Sequence, residues 1–383
     1  MTDFPAVDTT ALVRDRRDLH QHPELGFKEA RTGALVAERL RGCGYDVRAG
    51  VGRTGVVGVK GAGPRCALVR ADMDALPIEE ANDVPYRSRN PGAMHACGHD
   101  GHVAVGLEVA RRLAAVPLPG VAKFAFQPAE ELSGGALAMI DDGILDGPAV
   151  GAAFGIHLWN ELPVGMIGIA SGAMMASVDE FDIIISGIGG HAAMPHRAID
   201  PVLVAAHVIT ALQSLVSRRR DPFEEGVVSV TQVAAGHAFN VIPQQAALRG
   251  TVRTFGGKFY EDAPALVTDT ARGIARAFGA DATVEFRRLT RALINDPAMA
   301  ALMRSVGEEV VGKSRVTENI RTMGGEDMSH FLNQVPGCFA FVGSARPDGT
   351  SHPHHSPRFD IEEAALPIAV ELLTLTTARY LGG

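Results

Sequence analysis

The sequence predicts a two-domain α/β protein: a larger α/β domain interrupted by an inserted domain of the ferredoxin-like, split βαβ kind. Three observations predict it. Helix-like and strand-like stretches alternate from Thr9 to Leu158, the pattern of a mostly parallel sheet buried between helices. Near Ser177 the order changes to β-α-β-β-α-β, and from Asp296 the first kind of pattern returns. At 383 residues the chain is also long for a single core. Residues 1–177 and 292–383 are expected to form the larger domain, and residues 178–291 the insertion.

In the first part, Thr9 to Gln21 and Glu29 to Arg41 read as helices, the second stopped by Gly42-Cys43-Gly44. Gly55 to Lys60 and Arg65 to Arg70 are short strands rich in Val and Leu. Asp100 to Ala115 is helical, with Val103, Leu107 and Ala110 on one face. Val121 to Gln127 and Ala149 to Leu158 are strands, separated by a helical Ser133 to Asp142. In the insertion, Phe181 to Ser186 alternates, placing Phe181, Ile183 and Ile185 on one face. A helix at Asp200 to Ser217 follows, then strands at Gly226 to Val233 and Ala246 to Phe255. A helix at Ala263 to Phe278 and a strand at Ala282 to Arg288 close the unit.

Hydrophobic residues make up 46% of the chain and charged ones 21%, the balance of a globular protein. The formal charge of −8 gives no electrostatic reason to expect nucleic acid. No apolar stretch approaches the roughly 20 residues of a membrane span, so no membrane partner is expected. Met1-Thr2-Asp3-Phe4-Pro5 has neither the basic region nor the apolar core of a signal peptide, and the expected location is cytoplasmic. Cys43, Cys66, Cys97 and Cys338 are too scattered to suggest a disulfide framework.

The chemistry concentrates in Met94-His95-Ala96-Cys97-Gly98-His99-Asp100-Gly101-His102. Thiolate and imidazole are ligands of zinc-like metals, and carboxylates complete such shells when the metal is catalytic. The C-x-H spacing is too tight for a zinc finger, which favours an open, reactive centre. Glu130-Glu131 follows an apolar strand, and in a turn the two side chains diverge, so that one can bind a metal while its neighbour holds water. His157 lies near the end of another apolar strand. Asp72 and Asp74 follow a third, as ligands or as groups that orient ligand histidines. His352, His354 and His355 stand together, and the residues alone leave open which one faces a metal. Placement past strand ends suits the ligand crevice of an open α/β sheet. Gly187-Ile188-Gly189-Gly190-His191 is no dinucleotide loop: the third glycine is out of register, and Pro195 stands where the helix should run.

Taken in order, these segments carry a resemblance. Arg70-Ala71-Asp72-Met73-Asp74-Ala75-Leu76-Pro77-Ile78, Met94 to His102, Phe126-Gln127-Pro128-Ala129-Glu130-Glu131 and His157-Leu158-Trp159 are followed by Gly189-Gly190-His191-Ala192-Ala193-Met194-Pro195-His196. Asn240-Val241-Ile242-Pro243, Gly250-Thr251-Val252-Arg253 and Gly324-Gly325-Glu326-Asp327 complete the set. From about His20 to Asp360 the chain resembles the M20 metallopeptidases, in the amidohydrolase branch with hippurate hydrolases and indole-acetyl-amino-acid hydrolases. The resemblance implies a catalytic domain with a two-metal centre and an inserted lid that also forms the dimer. It implies Cys97, His99, Glu131, His157 and His355 as metal ligands, His355 because it directly precedes Ser356-Pro357. Glu130 falls on the general base, and Asp72 and Asp74 rank as supporting residues, Asp72 standing where other branches have a ligand histidine. Cys97 takes the place of a bridging carboxylate, a role that a thiolate can fill. His191 corresponds to a catalytic oxyanion donor reaching the other subunit's substrate, and Asn240 and Arg253 to further substrate contacts.

The implied activity is metal-dependent hydrolysis of N-acyl amino acids, of N-acetyl, N-benzoyl or aryl-acetyl type, with two divalent metals. Manganese or zinc is expected, with cobalt or nickel as further options. Three other reactions stay open: a dipeptidase or carboxypeptidase, an N-acetyl-diaminopimelate deacetylase, and an aromatic amine deaminase using the same kind of water. The expected assembly is a homodimer through the lid, or a homotetramer built from it.

Overall fold

The computed structural model describes residues 4–383. The chain divides into two units. The larger comprises the chain up to Met174 together with Ile294–Arg321 and Asp327–Gly383, and the inserted one comprises Met175–Leu293 with the short segment Thr322–Glu326.

In chain order the larger unit begins with α1 (Thr9–Gln21), α2 (Ala30–Gly42), β1 (Asp46–Val51), β2 (Gly55–Gly61) and β3 (Cys66–Asp72). It continues with α3 (His99–Ala114), β4 (Val121–Gln127), α4 (Gly135–Asp141), β5 (Ala152–Pro163), β6 (Ile167–Gly168) and β7 (Gly172–Met175). The insertion holds β8 (Val178–Ser186), β9 (Gly190–His191), α5 (Pro201–Ser214), β10 (Gly226–Ala235), β11 (Val241–Ile242), β12 (Gln245–Thr254), α6 (Gly257–Ala277) and β13 (Asp281–Thr290). After β14 (Leu293–Asn295) come α7 (Pro297–Val311), β15 (Val316–Thr317), α8 (Ser329–Leu332), β16 (Gly337–Ala345) and α9 (Ala365–Gly382).

The larger unit is built on a mixed sheet of order β1-β2-β4-β3-β5-β16-β6-β15. Its centre, β4-β3-β5-β16, is parallel, whereas β1 and β2 add antiparallel strands at one edge. Both β3 and β4 are buried along their whole length, as strands covered on two faces must be. The edge strand β1, Asp-Val-Arg-Ala-Gly-Val, is absent from the elements expected above: Val47, Ala49 and Val51 alternate, but only Val51 is fully buried, and the run is short and broken by Gly50. Strand β5 runs five residues past the predicted end at Leu158, because Trp159 and Asn160 are buried beside β16. Its pairing with β3 stops at Arg70–Gly155, so His157 lies just beyond the point where the two strands part. That parting opens a crevice in the sheet, and α3, buried on nearly every side, begins there.

The inserted unit is a four-stranded antiparallel sheet of order β10-β12-β8-β13. With α5 and α6 on one face, this is the ferredoxin-like arrangement. Phe181, Ile183 and Ile185 of β8 face a core completed by Val204, Val208 and Val267. On the bare face Glu180 and Asp182 pair with Arg249 and Arg287. Helix α6 starts two turns before the predicted Ala263. Pro264, which reads as a helix start, sits inside it, and the Tyr260 carbonyl that its missing N–H leaves free takes Arg288 Nη2 at 2.9 Å. The Glu224 carboxylate accepts from the amides of Lys258 and Phe259 and so caps the helix from outside. One helix, Pro201–Arg219, is long and apolar enough by length and composition to cross a membrane, which the sequence reading expected of no segment. Its Val204, Val208, Leu212 and Leu215 are buried in the core of the unit.

Candidate metal centre

Three segments of the larger unit bring their side chains to the crevice. In the first, Gly98 adopts φ +91 between Cys97 and His99, a left-handed conformation that costs a residue with a Cβ about 1–2 kcal/mol. The turn lets thiol and imidazole converge at the start of α3. Gly101, one turn on, has no room for a Cβ, which would stand 2.5 Å from Leu158 Cδ1. Cys97 Sγ lies 3.4 Å from His157 Nε2. His157 Nδ1 donates to the Leu158 carbonyl at 2.8 Å and His99 Nδ1 to the Asp74 carbonyl at 2.9 Å. A carbonyl can only accept, so in the neutral ring each Nε2 carries the lone pair, the tautomer of a metal ligand. Against its burial, Asp72, Asp74 and Cys97 push His99 well above its ordinary value, so a cation there would displace a proton.

The second segment is the turn after β4. Ala129 has φ +49, and its amide is held by the Glu29 carboxylate at 2.9 Å. The amides of Glu130 and Glu131 both donate to the Asp74 carboxylate, at 3.0 and 3.1 Å. One acid thus grips the turn that presents the other two. The third segment carries His355, at φ +65, whose amide donates to the Ala96 carbonyl at 2.8 Å. His355 Nε2 lies 3.5 Å from Glu131 Oε2, while His354 turns to the Leu158 carbonyl and stacks on Trp159. Of the three neighbouring histidines, His355 is therefore the one that meets the acid and the thiol.

Ligand atoms of Cys97, His99 and His157 lie within 4.8 Å of one another, and so do those of Cys97, Glu131 and His355; Cys97 belongs to both sets. The electrostatics ask for positive charge. Hydrogen bonding to Cys97 and Glu131 holds a proton on His355 up to about 10, and burial together with Glu131 pushes the Cys97 thiol up. Burial, with His102 and His354 nearby, keeps His157 well below its ordinary value and hence neutral. His99 Nε2 and Glu131 Oε1 are buried with no hydrogen-bond partner among the described residues, each a cost of about 1–3 kcal/mol unless a cation takes the lone pair. A soft thiolate, three imidazoles and a carboxylate in this arrangement fit divalent cations of the zinc class.

Asp72 points to the rings: its Oδ1 meets His102 Nδ1 at 2.5 Å, its Oδ2 takes Arg70 Nη1 at 2.6 Å, and Oδ2 stands 3.6 Å from His99 Nε2. His102 is spent on Asp72 and on the Leu158 amide, 2.9 Å from its Nε2, so it holds β5 to the loop. Sequence reasoning gave no role to His102, Arg70, Gln127 or Asp327. Arg70 and Gln127 both donate to Asp327, and the signal for them in the sequence is that each stands in a segment that carries the family resemblance.

In the inserted unit, His191 pairs with Val241, and the Ala192 amide donates to the Asn240 carbonyl at 3.1 Å. One small ribbon thus carries His191 and Asn240, both exposed, beside a fully exposed Phe239. The ribbon is attached beyond Gln245, the first residue of β12, whereas Arg253 is at the far end of that strand. At about 3.4 Å per residue those ends are on the order of 25 Å apart. Arg253 Nε donates to Thr251 Oγ1 at 3.1 Å. Its neighbour Asp179 is buried, both carboxylate oxygens lack a partner among the described residues, and burial raises it to about 7 against the pull of Arg288 and Arg253.

Residues 68–379 match peptidase family M20/M25/M40. The chain is 40% identical to an N-acetylcysteine deacetylase of Bacillus subtilis, over 94% of each protein. It is 39% identical to IAA-amino acid hydrolase ILR1-like 4 of Arabidopsis thaliana, over 97% of this chain and 86% of that one. Among solved structures it resembles the Bacillus subtilis YXEP protein, a dinuclear metal-binding peptidase of the M20 family, with a TM-score of 0.84, 34% identity and 98% coverage of both chains.

Proposed function

The chain belongs to peptidase family M20/M25/M40 and is a metal-dependent amidohydrolase, and from that premise we propose that it hydrolyses N-acyl amino acids to a carboxylic acid and a free amino acid. The observation that carries the reading is the pair of ligand sets sharing Cys97, with Glu130 beside them in a turn that Asp74 fixes. Cys97, His99, Glu131, His157 and His355 would hold two divalent cations, Cys97 being common to both sets of candidate ligands. Thiolate and imidazole favour zinc, and the carboxylate admits manganese, cobalt or nickel.

When bound, such cations polarise the amide carbonyl and make a water acidic enough to lose its proton near neutral pH. Glu130 receives that proton. The water oxygen bonds to the carbonyl carbon, the C–N bond breaks, and Glu130 returns the proton to the departing nitrogen. Arg253 takes the carboxylate of the amino-acid half in its planar fork. His191 donates to the developing oxyanion, with Asn240 beside it on the substrate.

The amide oxygen and the carboxylate of an N-acyl amino acid are a few bonds apart. On one chain Arg253 and the His191 ribbon are at opposite ends of β12. This separation supports a homodimer in which each substrate meets Arg253 of one chain and His191 of the partner subunit. The long edge strand β10, with Val233 exposed, and the bare Phe239 support an assembly through the inserted unit.

The test is a panel of N-acetyl, N-benzoyl and indole-acetyl amino acids, set against dipeptides, N-acetyl-diaminopimelate and an aromatic amine lacking any amide. Apo-protein is reloaded with zinc, manganese, cobalt or nickel in turn. The proposal expects kcat/KM for an N-acyl amino acid to exceed that for every dipeptide by about tenfold or more. Preference for dipeptides, or ammonia release from the amine, would overturn it.

A further inference from the structure

The segment Gly324-Gly325-Glu326-Asp327 belongs to two units at once. Residues 322–326 pack as part of the insertion: Thr322 forms a bridge with Met175, and the Gly324 carbonyl accepts from the Ala176 amide at 2.9 Å. Gly325 lies so close to the start of β8 that a Cβ on it would stand 2.1 Å from Val178 Cγ2. The next residue but one, Asp327, is fully buried in the larger unit. Its Oδ1 accepts from Gln127 Nε2 at 2.7 Å and from Arg70 Nη2 at 3.1 Å, and its Oδ2 from the Ala136 amide at 3.0 Å. With the side chain anchored on both oxygens, the Asp327 amide donates to Glu130 Oε1 at 3.3 Å.

We propose that Asp327 is a positioning residue for Glu130, and that the strap of residues 322–326 makes this positioning depend on the inserted unit. The inference rests on Glu130 being the proton-transfer group. A carboxylate that must take a proton from water and give it to a nitrogen works only where its oxygens point correctly. One donated hydrogen bond from a fixed amide selects that rotamer. Arg70 gives the anchor reach, because its other amino group binds Asp72, which adjoins His99 and His102. The strap reaches Asp327 through one peptide link at Glu326. A shift of 322–326 with the insertion therefore changes the amide that Glu130 sees.

The experiment uses metal-loaded full-length enzyme and the best substrate of the panel. Asp327→Asn should lower kcat by about 10–100-fold, the scale of an ångström-sized misplacement, while KM stays within about threefold and two equivalents of metal remain. Gly325→Ala should lower kcat in the same direction through its clash with Val178. Adding Val178→Ala, which makes room for the new methyl group, should restore kcat to within about threefold of the parent carrying Val178→Ala alone. A merely structural role for the strap predicts instead that Gly325→Ala lowers the unfolding midpoint and the metal content together with kcat, rather than kcat alone. Loss of metal from soluble Asp327→Asn would show that it serves the ligands, not the base. Full activity in Gly325→Ala, or no rescue by Val178→Ala, would also overturn the proposal, and these arms decide it if Asp327→Asn does not fold. Glu130→Gln, run beside them, separates the two failures: if it retains activity, the assignment of the base itself is wrong.

Discussion

Asp74 offers the sharpest quantitative prediction, because its one carboxylate holds the amides of both Glu130 and Glu131, at 3.0 and 3.1 Å. Asp74→Asn keeps the shape but leaves a single acceptor oxygen. One amide then faces an NH₂ group, and the lost charge-assisted hydrogen bond costs about 1.5–3 kcal/mol. That destabilises the presenting turn, where Ala129 already sits at φ +49. At about 1.4 kcal/mol per tenfold, the equilibrium constant for the competent turn falls about 10–100-fold, and apparent metal affinity falls by up to that factor. Zinc titration of apo-protein against a chromophoric chelator measures it. Two equivalents should still bind at saturation, because no ligand is removed. An affinity within about twofold of wild type would refute the turn argument, and a stoichiometry of one would make Asp74 a ligand.

Thiol labelling, in a Cys43→Ala background because Cys43 is partly exposed, should modify Cys97 only after chelation; equal labelling in both states would rule out coordination. Asp179→Asn should stabilise the protein at pH 8 and do little at pH 4. The native acid, raised to about 7, binds its proton across a range where the unfolded chain has lost it, so wild-type stability falls as pH rises from about 4 to 7. The difference should be about 4 kcal/mol at most, read from urea unfolding at both pH values, and a pH-independent effect would contradict it. Glu130→Gln and His191→Ala chains, each nearly inactive alone, should recover up to about half of wild-type activity as an isolated heterodimer, since one of its two sites is then intact. A heterodimer as inactive as its parents would mean that His191 serves its own subunit.

Residues within one short segment, or at the end of an apolar strand, were legible. The run Cys97-Gly98-His99 is a local chemical signal, and the strands that deliver Glu131 and His157 are continuous apolar stretches. The insertion was equally readable, because β8 alternates with period two. What escaped depends on partners distant in the chain. Asp327 takes its role from Gln127, Arg70 and Glu130, and nothing near Asp327 announces any of them. Pro264 misled by local rules, since Arg288 rescues the freed carbonyl and Glu224 caps the helix from another loop. Strand β1 alternates over only six residues and buries Val51 alone, too short a pattern to stand out beside Gly50 and Gly52. His102 stands among candidate ligands in sequence, and its hydrogen bonds to Asp72 and the Leu158 amide give it a supporting role.

The central claim is that Glu130 moves the proton beside a pair of cations that it does not itself hold. Glu130→Gln tests it most directly, with metal content by elemental analysis and kcat measured on the same sample. The account predicts two retained equivalents of metal and a kcat lowered by about 10²–10⁴-fold. Loss of metal from the folded variant, or turnover close to wild type, would contradict it.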